Sequence, residues 1–364
     1  SKTTVAPKER SIVGWIAENG IFVFTALLIV VALVFVDGFA SWVNITDVFH
    51  RAAPIGIVAV GMTFVVISGN YLDLSVVAQV ATSAVILIAV SNSYGIPLAM
   101  LAALLAAAVF GVVNGVAVGY FKANAVIVTL ATTYIGLGLL RLFSGGSIFF
   151  GPQDGLIREF GLGKLGAVPY SAVVLVLMTL VLAFILNRTN FGFLIRSFGV
   201  NESATRLGGT NTALVVIGAF FVTALAAMVA GWVLAAFSNT AVSAMSSGYD
   251  FRALAAIIVG GTSVFGGKGS VLRTLLGVIF VSVLTNILVL SGITFGYQQM
   301  ALGVLIVAAV AIDALSRKAG KRWVPLTVFR LVSKRPVSGA VFVSRWRVVP
   351  KAVAWHCLPW CWSS

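Results

Sequence analysis

Three stretches of this chain carry the residue types from which chemistry is built. In Ser68-Gly69-Asn70-Tyr71-Leu72-Asp73-Leu74-Ser75, a carboxylate stands between two long apolar runs. An acid at the centre of a membrane helix costs about 3 kcal/mol on insertion scales, so Asp73 needs a reason to be there. The Gly and Asn beside it predict a helix break, whose freed backbone groups require polar partners. Asp73 is then placed to cap the following helix by accepting its free N–H groups, with contact to a passing substrate as the alternative.

The second stretch, Gly260-Gly261-Thr262-Ser263-Val264-Phe265-Gly266-Gly267-Lys268-Gly269-Ser270, looks at first like a phosphate loop. It fails that pattern, which needs Gly four residues before its Gly-Lys pair and Ser or Thr directly after the Lys. Those positions hold Thr262 and Gly269, and no strand precedes them. Gly260, Gly261, Gly266, Gly267 and Gly269 instead suit close helix packing and a tight turn at the cytoplasmic surface, with Lys268 as an inside anchor. Any ATP is expected on another chain.

The third stretch runs Gly199-Val200-Asn201-Glu202-Ser203-Ala204-Thr205-Arg206-Leu207-Gly208-Gly209. Asn201 is a good N-cap, Glu202 favours the positive helix start, and Glu202 and Arg206 stand at i and i+4. Gly208 can end the turn in a left-handed conformation. This predicts a short, self-capped helix parallel to a membrane surface. An interfacial role is open to it, but Ala204 and the glycines leave a small-residue surface that favours a docking partner.

No catalytic or metal centre accompanies these stretches. The ten acids and two histidines are scattered, so neither a hydrolytic centre nor a metal site is expected, and no cofactor. Nucleic acid is not among the expected partners.

The elements that must position these stretches are set by the solvent. Of 364 residues, 60% are hydrophobic and 9% charged, which no water-soluble surface tolerates. Apolar runs suited to 20-residue spans, rather than alternating 10-residue strands, predict an all-α polytopic membrane protein. Breaking the runs at charges and turns gives ten candidate spans, near 20–36, 52–68, 74–90, 96–119, 125–142, 168–186, 212–237, 253–265, 274–290 and 299–315. The eighth is too short to cross straight and is expected to extend into its flanks or to be broken or re-entrant. The first run is read as an uncleaved helix, because no clear cleavage site ends it.

Basic residues fix the orientation. With the N-terminus inside, Lys122, Arg188, Arg196, Arg206, Lys268 and Arg273 fall on the cytoplasmic side, while Arg51, Arg158, Lys164 and Arg252 fall outside. Ten spans return the C-terminus to the cytoplasm. The organisation expected is a cytoplasmic segment 1–19, a transmembrane domain 20–318 and a cytoplasmic tail 319–364. The tail is basic and Trp-rich, carries both cysteines, Cys357 and Cys361, and either lies on anionic membrane lipid or is a dispensable extension.

Together Gly61-Met62-Thr63, Asp73-Leu74-Ser75-Val76, Asn201 to Gly209, and Gly260-Gly261-Thr262-Ser263 with Gly266-Gly267-Lys268-Gly269 resemble the ribose-type permease family of ABC sugar importers. The resemblance spans about 15–318. It implies a multi-pass inner-membrane permease, not an enzyme, that works as a homodimer or beside a similar permease. A cytoplasmic ABC ATPase subunit and a periplasmic sugar-binding protein would complete the importer, with Asn201–Gly209 as the coupling helix docked in the ATPase. The sequence departs from the family pattern at Asn70-Tyr71-Leu72, where Gly-Gly-Ile is expected, and at Val77, where a Gly is. These departures leave the sugar open among pentoses, hexoses and small polyols.

A path for such a solute needs weakly polar walls, since a tightly matched site would trap it. Asn70, Asn114, Asn286 and Gln298 are candidate lining residues, with interhelical hydrogen bonding as their alternative role. Rival classes are an ion-coupled secondary transporter, for which Asp73 and Asp313 are the only intramembrane acids to offer, a membrane enzyme acting on lipid-linked sugars, and a structural scaffold.

Overall fold

The computed structural model describes residues 12–69 and 71–321. Asn70, the first eleven residues with Lys2, Lys8 and Arg10, and the tail from Arg322 with Cys357 and Cys361 lie outside the described residues. By its contacts the chain divides into Ser1–Ser316 and Arg317–Ser364, and the architecture below is that of the first unit.

The chain folds as α1 (Ile12–Phe35), α2 (Trp42–Ile67), α3 (Val76–Tyr94), α4 (Ile96–Gly119), α5 (Ala125–Ser144), β1 (Phe149–Phe150), α6 (Leu156–Leu162), β2 (Lys164–Leu165), β3 (Val168–Pro169), α7 (Tyr170–Arg188), α8 (Asn190–Val200), α9 (Glu202–Leu207), α10 (Thr212–Ser238), β4 (Thr240–Ala241), α11 (Tyr249–Val259), α12 (Val271–Leu290) and α13 (Phe295–Lys321). Among the described residues, seven helices are long and apolar enough to cross a membrane: α2, α3, α4, α5, α7, α10 and α12. Gly20–Phe35 of α1 and Phe295–Ala311 of α13 are shorter apolar helical stretches. The chain is therefore an all-helical, multi-pass membrane protein.

The expected short span at 253–265 is α11, eleven residues that begin earlier than predicted and give way to the glycine turn at Gly260. Two stretches that the apolar windows left as loop hold structure. Residues 149–169 form α6 and short strands, β1 pairing antiparallel with β4 and β2 with β3. Residues 190–200 form α8, started by the Thr189 side chain accepting from the Gly192 N–H.

Helix α2 is the axis of the bundle, with 94% of its most apolar window buried inside the protein. It packs against α10, α7, α12 and α11. Apolar side chains gain nothing on leaving lipid for one another, so such packing relies on close backbone approach and hydrogen bonds. Helix α4 shows the device: Ala99, Ala103, Ala107, Gly111, Gly115 and Gly119 recur every fourth residue on its buried stripe. A Cβ on Gly111 would lie 2.9 Å from Phe221 Cα, and one on Gly115 would lie 2.7 Å from Ile217 Cα, both on α10. Hydroxyls add cross-links: Thr63 of α2 meets Thr274 of α12 at 3.0 Å, and Thr223 of α10 donates to the Gly61 carbonyl at 3.2 Å.

Candidate functional site

Helix α9 projects from one end of the bundle. Its N-cap is Asn201, whose side-chain oxygen accepts from the Ala204 N–H at 2.9 Å, leaving fewer unsatisfied donors at the helix start. Two expectations are corrected here. The left-handed residue that ends the turn is Gly209, at φ +81°, whereas Gly208 has φ −73°. Glu202 pairs not with Arg206 but with Lys122, which follows α4 and also sits 5.8 Å from the centre of the Phe198 ring. Lys122, just beyond the end of α4, reaches the carboxylate from a neighbouring element instead. The rest of the helix faces outward. No residue of α9 is buried, and two apolar side chains lie open there: Leu207, the last residue of the helix, at 89% relative exposure, and Val200, just before it, at 73%.

Beneath α9 three chain segments meet backbone to backbone. Gly199 lies in the last turn of α8, Gly69 follows α2, and Gly266 and Gly267 belong to the turn between α11 and α12. The Gly267 N–H donates to the Ile67 carbonyl at 2.8 Å. A Cβ on Gly199 would fall 2.0 Å from that same oxygen and 2.6 Å from the Gly267 nitrogen. One on Gly266 would fall 2.4 Å from Gly69 Cα. Real side chains cannot occupy such space, so glycine is required by contact and, at Gly266 and Gly267, also by positive φ of +83° and +75°. Gly260 makes a second close approach, its Cβ position lying 2.5 Å from the Arg273 carbonyl of α12, and Gly261 turns the chain at φ +81°. Gly269 packs between Thr262 and Ile67, and Lys268 is exposed at the same end of the bundle as α9.

The break between α2 and α3 is held from several sides. Asp73 is buried and accepts from the Ser75 N–H at 3.0 Å, from the Ser75 hydroxyl, and from Gln79 Nε2 at 3.3 Å. Asn114 of α4 donates to the Ser75 hydroxyl at 2.8 Å. Asp73 thus bonds one backbone N–H, at the N-cap residue itself, and otherwise joins side chains; the free N–H groups further into α3 are not its partners. The carbonyls of Leu72 and Leu74 accept from Thr129 and Thr133 of α5, at 3.4 and 3.0 Å. Every freed carbonyl named here finds a partner inside the protein, as irregular backbone in lipid requires.

Asn286 and Gln298 lie elsewhere, at the end of the bundle remote from α9. Residues 44–55, from the first half of α2, line a cavity of about 340 Å³ together with α11, α12 and the start of α13. Asn286 and Asn44 exchange side-chain amide bonds at 2.7 and 3.1 Å, and Gln298 donates to the Ile293 carbonyl at 2.8 Å. The predicted polar residues therefore fall into two groups, Asp73 with Asn114 and Asn286 with Gln298, while Asn70 lies outside the described residues. Sequence reasoning missed Ser75, Gln79 and Lys122. Ser75 and Gln79 stand two and six residues beyond Asp73, the latter on the next helical turn, and that spacing was the available signal.

Seven helices long and apolar enough to cross a membrane, joined closely through glycines, with an exposed capped helix at one end, make a polytopic membrane protein. A family profile described as the permease component of the branched-chain amino acid transport system matches residues 44–310. The chain belongs to this permease family, and it is a transporter subunit rather than an enzyme. It is 32% identical over 296 residues to the ribose import permease protein RbsC of Haemophilus influenzae, covering 80% of this chain and 91% of that one. It is 30% identical over 316 residues to the L-arabinose transport system permease protein AraH of Escherichia coli K12, covering 86% and 96%. The fructose import permease protein FrcC of Rhizobium meliloti is 29% identical over 307 residues, covering 82% and 85%. The resemblance to ribose-type permeases holds over most of the chain. No solved structure matches it at a significant level.

Proposed function

We propose that this chain is the membrane-spanning permease of an ATP-driven importer that moves a monosaccharide or related small polyol across the bacterial inner membrane. The observation that carries this is the match along most of the chain to permeases named for ribose, arabinose and fructose. In this reading α1 and α13 also cross, and α11 with the glycine turn makes the broken eighth of ten spans, so that both termini and α9 face the cytoplasm. The Asn201–Gly209 segment then docks in a cytoplasmic ABC ATPase subunit. A periplasmic sugar-binding protein delivers the sugar at the opposite end, and a second permease copy or a similar permease completes the pathway.

The mechanism is alternating access. Closure of the ATPase modules displaces α9, and the bundle rocks between arrangements open to one side and then the other. The permease makes and breaks no covalent bond. An ion-coupled carrier gains no support, since Asp73 is tied up by Ser75 and Gln79.

Docking at α9 has a direct test. Ala204→Cys is placed in a background carrying Cys357→Ser and Cys361→Ser, and the ATPase subunit carries a short thiol cross-linker. A cross-linked permease–ATPase product that changes in yield with ATP is expected. Absence of any product, with efficient cross-linking between other sites of the same complex, rejects α9 as the docking element.

A further inference from the structure

We propose that the cavity between α2, α11, α12 and α13 is a binding subsite for one neutral, polyhydroxylated molecule of monosaccharide size, formed within a single chain. This rests on the permease reading above and adds a place where the solute is held at the end remote from α9.

Size is the first argument. Sites for small molecules enclose roughly 300–1,000 Å³, so about 340 Å³ sits at the small end of that range. A single sugar ring fits.

Lining chemistry is the second. Asn44, Asp47, Arg51, Arg252, Asn286 and Gln298 all line this cavity. Arg51 and Asp47 hold each other at 2.7 Å, so their charges cancel. Arg252 has no such partner: it takes part in neither of the two ion pairs among the described residues, and its buried Nε makes no hydrogen bond there. The Nε itself is enclosed; what Arg252 can offer the cavity is the rest of its guanidinium, which has no carboxylate partner among the described residues and suits a ligand or solvent oxygen. Asn44 is fully used as a donor by Phe39 and Asn286, whereas Asn286 has one bond from its amide nitrogen and Gln298 bonds only Ile293. Asn286 and Gln298 thus keep amide capacity for both donating and accepting, which is what hydroxyl groups match and an apolar ligand or lipid chain does not.

The position is the third argument. The cavity opens along the first half of α2, while the last residue of α2 meets the glycine junction under α9. At about 1.5 Å per residue, the lining residues Asn44 to Ile55 stand about 18 to 35 Å along α2 from Ile67, so the subsite lies in the half of the bundle remote from the junction.

The test uses the intact chain with Cys357→Ser and Cys361→Ser and a reporter, Ser282→Cys, on the cavity wall. The rate of modification by a membrane-impermeant methanethiosulfonate is measured in membranes with and without each of a panel of neutral pentoses, hexoses and cyclic polyols, and with inorganic phosphate. Uptake of the same panel is measured in cells that express the chain with its partner subunits. At ten times the half-protecting concentration, one neutral sugar is expected to slow modification by about tenfold. Arg252→Gln is expected to abolish that protection and leave the unprotected rate unchanged. Uptake of a sugar without protection by it overturns the subsite and leaves the transporter reading standing. Protection without uptake supports the subsite and counts against the transporter reading. Protection by phosphate alone, or protection that survives Arg252→Gln, overturns the proposal.

Discussion

Replacing Gly199 with alanine is expected to reduce sugar uptake by tenfold or more at equal membrane abundance of the protein. The new Cβ would lie 2.0 Å from the Ile67 carbonyl oxygen and 2.6 Å from the Gly267 nitrogen, so it falls on the hydrogen bond that joins those two residues. Neither obstacle is a flexible side chain. Overpacking of this kind costs about 1–3 kcal/mol. Loss of the buried backbone bond costs about 1–3 kcal/mol more. The total is several kcal/mol against a folding stability of roughly 5–15 kcal/mol, which strains the junction without dismantling the bundle. What shifts is the attachment of α8 and α9 to α2, and with it, in the proposed mechanism, the path by which motion of α9 would reach the break at residues 68–75. Gly20→Ala is the control, since its Cβ would meet only the Phe24 ring at 3.5 Å or more. The measurement is initial uptake rate with thermal stability of the purified protein. Unchanged uptake in Gly199→Ala would show that the junction carries no motion.

Arg206→Glu is expected to uncouple the transporter, with sugar uptake lost by more than tenfold while the protein inserts at parental levels. Arg206 is exposed on α9 and has no ion-pair partner among the described residues. Because Glu202 is already paired with Lys122, reversal breaks no native pair and only sets two acids at i and i+4, costing about 0.5 kcal/mol. At a desolvated interface the same reversal leaves a charge unmatched, which costs several kcal/mol. Uptake, sugar-stimulated ATP hydrolysis and co-purification of the ATPase separate the two cases. Parental values in all three would make Arg206 a solvated surface charge.

What could be read from the chain, and what could not, follows from the solvent. Composition and apolar run length place the chain in a bilayer, and charged interruptions separate the runs. Local chemistry was also legible: Asn201 at the head of a short polar segment is an N-cap, and Gly69 to Ser75 is a break. In lipid, though, hydrophobic periodicity ceases to mark the buried face, so Ile96 to Gly119 reads only as one apolar run. Its buried stripe is written in small residues, Ala99 to Gly119 at four-residue spacing, and only the packing on α10 shows which face that is. Partners far apart in sequence were equally hidden. Lys122 and Glu202 are 80 residues apart, and Asn114 and Ser75 are 39 apart. The glycine junction draws on Gly69, Gly199 and Gly267, three glycines whose need for one another is a fact of tertiary contact alone. Helices α6 and α8 escaped because seven and eleven residues lie below any membrane-span window.

The most direct measurement is accumulation of a labelled monosaccharide in proteoliposomes that contain the chain, its ATPase subunit and, on the outer side, the sugar-binding protein. Uptake against the sugar gradient is expected when ATP is supplied to the ATPase face, and none when ATP is replaced by a non-hydrolysable analogue or the ATPase subunit is left out. Accumulation driven by an ion gradient in vesicles holding the chain alone would contradict the ATP-driven reading.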